Sequence, residues 1–371
     1  MLRSAVFWLT LLFFALLVAA KFDRATGFTS LLHFGEPWAT RRVPAAQALP
    51  VAVTPSSTGY DGQFYAQIAL SPSLRDPALD TALDAPAYRA RRILGPFLAH
   101  CAGFGRPWLV LNAFALLNVA CWLGFAWLLW REIDDASAAG TARWVACVLS
   151  LGVLDSVRQS LVDLPALLFL LIAVRQFRRD TAPAVSTTAL ALANLTKETS
   201  LLASLALLGW PSRDRRRPLF ALVACAIPPA IWFVYVAQRF PTTPITSGSG
   251  NFTWPVLGAA AQFADSAREV AAGNFDSRHT FALLGILGLG LQAGVLWRHR
   301  APSNPWWRIG AVYSVLLLFL GPWVWSGYWA ACRAVLPLTV AFNLLLPAGR
   351  SFWPLLILGN LTALHAVWRF L

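Results

Sequence analysis

Charged residues are scarce in this chain, and acidic ones are the scarcest. Of its 371 residues 13% are charged and 57% are hydrophobic, with a mean hydropathy of +0.58. A soluble domain carries about 25% charged residues, so the composition excludes an ordinary soluble protein. Apolar runs approaching the roughly 20 residues of a spanning helix recur from residue 4 to residue 368. The chain is predicted to be an all-α, polytopic membrane protein, with residues 1–371 forming one integral membrane domain.

Motifs for metals, disulfides and nucleic acids are also missing. The five cysteines lie apart in apolar stretches without a C-x-x-C pair, so we expect buried free thiols. The five histidines form no H-x-x-x-H pair, which argues against zinc. The net charge of +13 would suggest nucleic acid in a soluble protein. Here the arginines stand between apolar runs, so the predicted partner is the lipid bilayer and not nucleic acid.

The apolar runs predict about eleven transmembrane or half-spanning helices. They cover residues 4–20, 107–130, 144–154, 164–174, 184–194, 199–209, 218–237, 280–297, 309–325, 334–348 and 352–368. The four runs between 144 and 209 have about 11 residues each, too few to cross roughly 30 Å. Because polar clusters separate them, we expect two helical hairpins whose tips line a wet cavity.

The arginines predict an orientation. Residues 4–20 favour an uncleaved first helix over a signal peptide, because residues 21–24 continue like a helix end. The predicted cytoplasmic stretches hold fourteen arginines, including the segment 213–217, against seven basic residues outside when the long first loop is omitted. The N-terminus is therefore predicted to be cytoplasmic. The loops 21–106 and 238–279, the second with a flexible start at 242–250, are predicted to face the periplasm or exterior of a bacterial inner (plasma) membrane.

One carboxylate, Asp61, stands within the aromatic segment Gly-Tyr-Asp-Gly-Gln-Phe-Tyr-Ala-Gln-Ile-Ala (59–69) of the first loop. The many prolines of this loop exclude one continuous helix and favour short interfacial helices. Ser57 or Thr58 is a candidate cap for a helix over 60–70, which would place Asp61 in its first turn and favour its ionised form. No basic residue lies at helical spacing in this segment, so Asp61 is the leading candidate for a reactive group.

Further charged residues fall on the same outer side of the predicted topology. They are Arg89, Arg91, Arg92, Asp155, Arg158, Asp163, Lys197, Glu198 and Arg333. Charges at membrane depth mark functional cavities by default. The structural alternative is local pairing, of Arg158 with Asp155 or Asp163 and of Lys197 with Glu198. The basic cluster 89–92 suits either anionic headgroups or a bound phosphate, because arginine forks match phosphate oxygens.

Aromatic side chains accompany these charges. Tyr60 and Tyr65 flank Asp61, Tyr88 precedes the basic cluster, and Trp323, Trp325, Tyr328 and Trp329 lie near Arg333. They suit an interfacial belt or a platform for sugar rings and isoprene chains.

The layout resembles the GT-C superfamily of membrane glycosyltransferases. Residues 60–69 are similar to the acid-aromatic-Ile-Ala segment of its mannosyltransferase-like members, and residues 87–96 (Ala-Tyr-Arg-Ala-Arg-Arg-Ile-Leu-Gly-Pro) to their tyrosine-to-proline entry into the next helix. The bacterial branch linked with cell-surface glycopolymer formation is the most similar. The chain departs from many members in ending at the last helix and in having Gly62 where a second acid is common.

The resemblance implies a polyprenyl-phosphate-linked sugar as donor and a lipid-linked or cell-surface glycan as acceptor. Asp61 would then be the general base of an inverting transfer. The expected contacts to the donor phosphate are Arg89, Arg91, Arg92, Lys197, Arg333 and Arg158. The expected acceptor-binding or orienting residues are Asp163, Glu198, Tyr60, Tyr65 and Tyr88. No metal ligand and no certain cofactor is predicted, although a divalent cation would be compatible.

Two other classes of function fit the same residues. A transporter or flippase for a lipid-linked saccharide would line its path with such charges, although no internal repeat is visible. A non-catalytic subunit of an envelope polysaccharide assembly would keep the cavity without the chemistry. Loss of activity on changing Asp61 separates the enzyme from that subunit.

Overall fold

The computed structural model describes residues 2–133, 135–179, 183–207, 216–242 and 248–371. It confirms the all-α prediction, with 73% helix and 3% strand. Three sequence predictions fall partly outside the described residues: the end of the run 199–209, the arginines at 213 and 215, and most of the flexible start of the second loop.

The first helix and the long loop after it form the N-terminal quarter of the fold. The elements are α1 (Leu2–Ala19), β1 (Phe34–Gly35), α2 (Pro44–Gln47), β2 (Val53–Thr54), α3 (Gly62–Leu70), α4 (Leu79–Ala82), α5 (Pro86–Ala90) and α6 (Leu94–Ala102), with 3-10 turns at Thr29–Leu32 and Glu36–Arg41. The two strands pair in parallel, Phe34 with Val53. Short helices therefore replace one continuous helix, as the prolines predicted.

Helix α3 is the centre of this loop. Its Gln63 side chain accepts from the Gly35 amide at 3.0 Å and donates to a loop carbonyl. One turn on, Gln67 accepts from the Val43 amide at 2.9 Å and donates to the Ala82 carbonyl at 3.1 Å. These two buried amides tie the surrounding loop to one helix, as buried polar groups must find partners.

The start of α3 differs slightly from the prediction. The helix begins at Gly62, so Asp61 rather than Ser57 or Thr58 occupies the N-cap position, without a side-chain capping bond. Ser57 Oγ instead accepts from the Gly59 amide in the preceding turn. Asp61 still lies at the helix N-terminus, where the dipole favours a negative charge.

The rest of the chain is a helical bundle. Its helices are α7 (Pro107–Glu132), α8 (Ala138–Val148), α9 (Leu151–Arg158), α10 (Asp163–Arg179), α11 (Pro183–Thr196), α12 (Ser200–Leu207), α13 (Arg216–Arg239), α14 (Leu257–Ala271), α15 (Ser277–Arg298), α16 (Pro305–Phe319), α17 (Pro322–Trp325), α18 (Tyr328–Ala334), α19 (Leu336–Leu345), α20 (Phe352–Gly359) and α21 (Thr362–Phe370), with a 3-10 turn at Ser249–Asn251. Of the cysteines, only Cys101 is exposed, while the other four are buried free thiols as expected.

Four helices among the described residues are long and apolar enough to cross a membrane. They are Pro107–Glu132, Ala138–Arg158 (α8 and α9 taken together as one span), Leu219–Arg239 and Ser277–Arg298, and the pair α18–α19, bent by 65°, makes a fifth if counted as one span. Two shorter apolar helices cover Arg3–Ala19 and Pro305–Phe319. The chain is therefore an α-helical protein built for a membrane, and four or five of the eleven predicted segments qualify as spans by length and composition.

The predicted helical hairpins are longer than expected. The run 144–154 belongs to a span that covers Ala138–Arg158, and the run 164–174 belongs to the 17-residue helix α10. Arginines are good helix formers, so α10 continues through Arg178 and Arg179 after the apolar run has ended. The prediction that these runs are too short to span was wrong for 144–154. The helical segment there extends beyond the apolar run at both ends, so the length of the run is shorter than the length of the span.

Two of the last three predicted helices are interrupted, and the third, 334–348, has a bend at its start. The run 309–325 divides at Gly321-Pro322 into α16 and α17, and 352–368 divides into α20 and α21. The bend between α18 and α19 lies just before Pro337, because proline cannot continue the hydrogen-bonding of a helix interior.

Arginines gather at one end of the bundle. Arg3 donates to the Trp130 carbonyl at 3.0 Å, and Arg143 donates to the Leu346 carbonyl at 2.8 Å. Arg178, near the end of α10, pairs with Glu132 of α7. Asp163 begins α10, roughly 24 Å from its other end at 1.5 Å per residue. The polar residues near Asp163 therefore occupy the end of the bundle opposite these arginines.

Candidate active site

A cavity of about 510 Å³, lined by charged, hydroxyl-bearing and apolar side chains, lies at this opposite end. It is lined by eleven of the twelve predicted site residues: Tyr60, Asp61, Tyr65, Tyr88, Arg89, Arg91, Arg92, Asp163, Lys197, Glu198 and Arg333. Segments far apart in sequence thus meet around one space whose size is ordinary for a small-molecule site. The structure shows that these residues lie around one cavity, and the role of each residue stays a prediction.

Asp61 is paired, contrary to the expectation from its own segment. Arg89 Nη1 lies 2.8 Å from Asp61 Oδ2. Arg89 belongs to α5, which the fold of the loop brings against α3, and its Nε and Nη2 contact both oxygens of Asp84 at 2.8 and 2.7 Å. Sequence reasoning missed this ion pair because the partner lies outside the helical neighbourhood of Asp61.

The Arg89 pair still leaves Asp61 chemically available. Burial alone would raise the pKa of Asp61, but the charges of Arg89 and Arg333 outweigh it and hold that pKa below its ordinary value. The side chain is 28% exposed, and no described residue pairs with its other oxygen, Oδ1. Asp61 is therefore an ionised carboxylate with one oxygen fixed by an arginine and one left to accept a proton.

Gly62 has a steric reason to follow Asp61. A Cβ at this position would lie 2.2 Å from the carbonyl oxygen of Gln159, in the turn after α9. The start of α3 therefore packs directly against the backbone of the bundle. A residue with a side chain, such as a second acid, has no room at this position.

Arg92 organises a second wall of the cavity. Its Nε and Nη2 form a fork on the Glu198 carboxylate at 2.9 and 2.6 Å. Nη1 donates to the Tyr65 hydroxyl at 2.6 Å and Nη2 also donates to the Tyr88 hydroxyl at 2.7 Å. Such bidentate pairs are the strongest of the charge-assisted hydrogen bonds. Tyr65 is fully buried behind this arginine, so it is a support for Arg92 and not an open platform for a sugar ring.

Arg333 organises the third wall. Its Nε lies 3.2 Å from Asp155, its Nη1 donates to Asp163 at 3.1 Å, and its Nη2 donates to the Tyr60 hydroxyl at 2.6 Å. Lys197 Nζ donates to the other Asp163 oxygen at 2.6 Å. Arg333 therefore binds the residue immediately before Asp61 and joins the α9, α10 and α18 helices to α3.

The local pairings offered as the structural alternative were wrong. Lys197 pairs with Asp163 instead of Glu198, and Asp155 pairs with Arg333 and with Arg369 of α21 at 3.0 Å. Each of these acids contacts a cation from a segment distant in the sequence, because the folded bundle brings such segments closer together than neighbours along one helical turn.

Arg158 is the one predicted site residue that does not line the cavity. Its Nε donates to the Arg369 carbonyl at 2.6 Å. As the last residue of α9 it points toward α21, away from the residues that line the cavity, and its contact with a donor phosphate stays a prediction.

The charges of the lining favour a bound anion. Five basic residues (Arg89, Arg91, Arg92, Lys197 and Arg333) face three acidic ones (Asp61, Asp163 and Glu198), an excess of two positive charges. Every guanidinium nitrogen of Arg89, Arg92 and Arg333 already contacts an oxygen of the protein. Lys197 makes one such bond among the described residues, although an ammonium group has three donors.

The second loop, residues 238–279, supplies residues that the sequence analysis did not identify. Ser249, Asn251 and Phe252 line the cavity, and the Asn251 amide donates to the Tyr88 hydroxyl at 3.2 Å. The predicted flexible start of this loop, residues 242–250, was the only signal in the sequence, and it does not indicate a position at the cavity.

The four aromatic residues near Arg333 divide by location. Trp323 lines the cavity and is highly exposed, whereas Trp325 and Tyr328 are buried in the bundle. Trp329 donates to the Tyr60 hydroxyl at 3.1 Å. Only Trp323 thus remains a candidate for an open platform.

No three His, Cys, Asp or Glu side chains among the described residues lie close enough to hold a metal ion. Comparison with known proteins adds no identification, because no family model, curated protein or solved structure matches the chain.

Proposed function

We propose that the chain is a membrane glycosyltransferase. It moves a sugar from a polyprenyl-phosphate donor to a lipid-linked or cell-surface glycan acceptor on the extracytoplasmic face of a bacterial inner membrane. The observation that carries the proposal is one cavity in which Asp61 is ionised and only its Oδ2 is paired, beside an excess of positively charged side chains. The resemblance of residues 60–69 and 87–96 to the GT-C superfamily supports the choice of reaction.

The proposed reaction is a single displacement with inversion. The acceptor hydroxyl oxygen attacks the anomeric carbon, and its proton passes to Asp61 Oδ1. The bond between the anomeric carbon and the phosphate oxygen breaks, and its electron pair leaves with the polyprenyl phosphate. Atoms and charge balance without a covalent enzyme intermediate or a redox partner.

Lys197 is the proposed first contact for the departing phosphate. Its ammonium has donors left after the bond to Asp163, and a fixed cation stabilises the charge that develops on a leaving group. Arg89, Arg92 and Arg333 add to the positive field, but each already directs three or four of its five N–H donors to protein oxygens, whereas Lys197 uses one of its three. They act in the proposal by holding Asp61, Glu198 and Tyr60 in place.

The second candidate function is transport of a lipid-linked saccharide. The specific observation in its favour is the 65° bend between α18 and α19, since interrupted helices often form the binding sites of transporters. Arg333 lies on α18 just before that bend. A transporter would carry the donor across intact, so it requires no general base.

The experiment compares membranes that contain wild type, Asp61→Asn and Asp84→Asn at equal protein levels. Incorporation of labelled sugar into surface glycan is measured. The change Asp61→Asn keeps the shape of the side chain and removes the base, so we expect a loss of about a hundredfold or more. Asp84 contacts the same Arg89 but does not line the cavity, so Asp84→Asn is expected to keep most of the activity. Equal losses in both variants would assign Asp61 a structural role.

A further inference from the structure

The mouth of the cavity has a rim that the transfer chemistry above does not use. Residues 248–252 are fastened to the segment between α16 and α17 by backbone bonds. The Gly321 amide donates to the Asn251 carbonyl at 2.7 Å, and the Thr253 amide donates to the Phe319 carbonyl at 2.9 Å. The rim is therefore part of the folded bundle.

An exposed indole stands on this rim. Trp323 lines the cavity while 78% of its surface is exposed, and its ring lies against Gly250. Trp254 lies four residues after Gly250, in the loop before α14. It is equally exposed at 78% but does not line the cavity. The two tryptophans thus share exposure and differ in their relation to the site.

Groups that can bind hydroxyls line the same cavity as Trp323. The Asn251 amide nitrogen bonds to Tyr88, and its oxygen has no partner among the described residues. Glu198 remains 24% exposed although Arg92 holds both of its oxygens. A flat apolar ring beside a few convergent polar atoms is the usual composition of a small-ligand subsite.

We propose that this rim is a binding subsite for an uncharged sugar unit of the glycan acceptor. The sugar ring lies on the face of Trp323, and its hydroxyl groups donate to Asn251 Oδ1 and to Glu198. The assignment to the acceptor rests on the proposed function, in which Lys197 holds the donor phosphate deeper in the cavity. A glycan of several sugars has to leave the cavity through its open mouth, where Trp323 stands.

The test measures binding, so it does not depend on catalysis. Neutral hexasaccharides of mannose, glucose and galactose, without lipid or phosphate, are titrated calorimetrically into the protein in lipid nanodiscs. We expect at least one of them to bind wild type. Trp323→Ala is expected to weaken that binding by about tenfold, the scale of one lost aromatic contact. Trp323→Phe is expected to retain most of it, which guards against a folding defect.

Trp254→Ala is the matched control and is expected to bind like wild type. The proposal is overturned if no hexasaccharide binds, or if Trp323→Ala and Trp254→Ala behave alike, which would make both tryptophans membrane-interface anchors. Asp61→Asn is expected to bind the hexasaccharide normally. Sugar binding without any transfer by wild type would therefore keep the subsite and reject the glycosyltransferase.

Discussion

At the scale of single residues, the types of the site residues could be predicted and their partners could not. Asp61, Lys197 and Arg333 stand out because charge is rare in an apolar chain. The bond between Tyr60 and Arg333 joins positions 273 residues apart, and the fork of Arg92 on Glu198 spans 106 residues. No local spacing in the sequence encodes such pairs. The sequence therefore indicates which residue types line the cavity but not which residues pair with each other.

The pairing of Asp61 with Arg89 predicts a pH effect. Arg89 lowers the pKa of Asp61, whereas burial opposes it by favouring the neutral acid. A base with a lowered pKa is protonated at a lower pH than an ordinary aspartate, whose pKa is about 3.9, so the acid limb that Asp61 causes in wild type should lie below that pH. In Arg89→Gln the pKa of Asp61 rises and the acid limb of the pH–rate profile moves to higher pH. Asp84→Asn, which keeps the Asp61 pair, should leave the limb in place, and an unmoved limb in Arg89→Gln would contradict this role.

Gly62 predicts a packing effect. An alanine methyl would meet the Gln159 carbonyl at 2.2 Å, and overpacking of this kind costs about 1–3 kcal/mol. We expect Gly62→Ala to lower the midpoint of thermal unfolding and to displace Asp61, with a clear loss of transfer activity. Gly290→Ala is the control, because nothing lies within 4 Å of a Cβ at that helical position. Equal midpoints for the two variants would refute the close approach of α3 to the bundle.

At the scale of elements, helices were predictable and their interruptions less so. The long apolar runs became α7, α13 and α15 with ends close to those expected. The bends at Gly321-Pro322 and before Pro337 fell inside runs that hydropathy presents as continuous. The same bends carry the rim tryptophan and Arg333, so the places where simple periodicity fails are those that form the cavity.

The bonds of the α3 glutamines predict that the folded structure of the first loop depends on these side chains. Gln67 bonds to Val43 on one side and to Ala82 on the other. Replacement by leucine leaves a buried amide and a buried carbonyl without partners, at a cost of about 1–3 kcal/mol each. We expect Gln67→Leu to lower the unfolding midpoint and to expose the loop to limited proteolysis. Gln262→Leu on α14, which removes one bond to Ser266, should change neither, and a protease-resistant Gln67→Leu would count against α3 as the centre of the loop.

At the scale of the whole molecule, the bundle separates two kinds of charge. Arg3, Arg143 and Arg178, which contact backbone carbonyls or an acid of a neighbouring helix, lie at one end. The cavity with its interlocked acids and bases lies at the other. Membrane proteins place excess arginine on the cytoplasmic side, so this polarity supports the proposal that the cavity faces outward. The uneven distribution of arginines could be predicted from the sequence, whereas the cavity could be seen only in the folded structure.

The most direct measurement of the central claim uses purified protein in lipid vesicles with a short-chain polyprenyl-phosphate donor labelled in both the sugar and the lipid. An enzyme breaks the bond between them, whereas a transporter delivers the donor intact and a non-catalytic subunit does neither. We predict that wild type releases lipid phosphate and glycosylated acceptor in equal amounts, and that Asp61→Asn releases neither above background. Recovery of intact donor on the opposite leaflet, or equal release by the Asp61→Asn protein, would contradict the account.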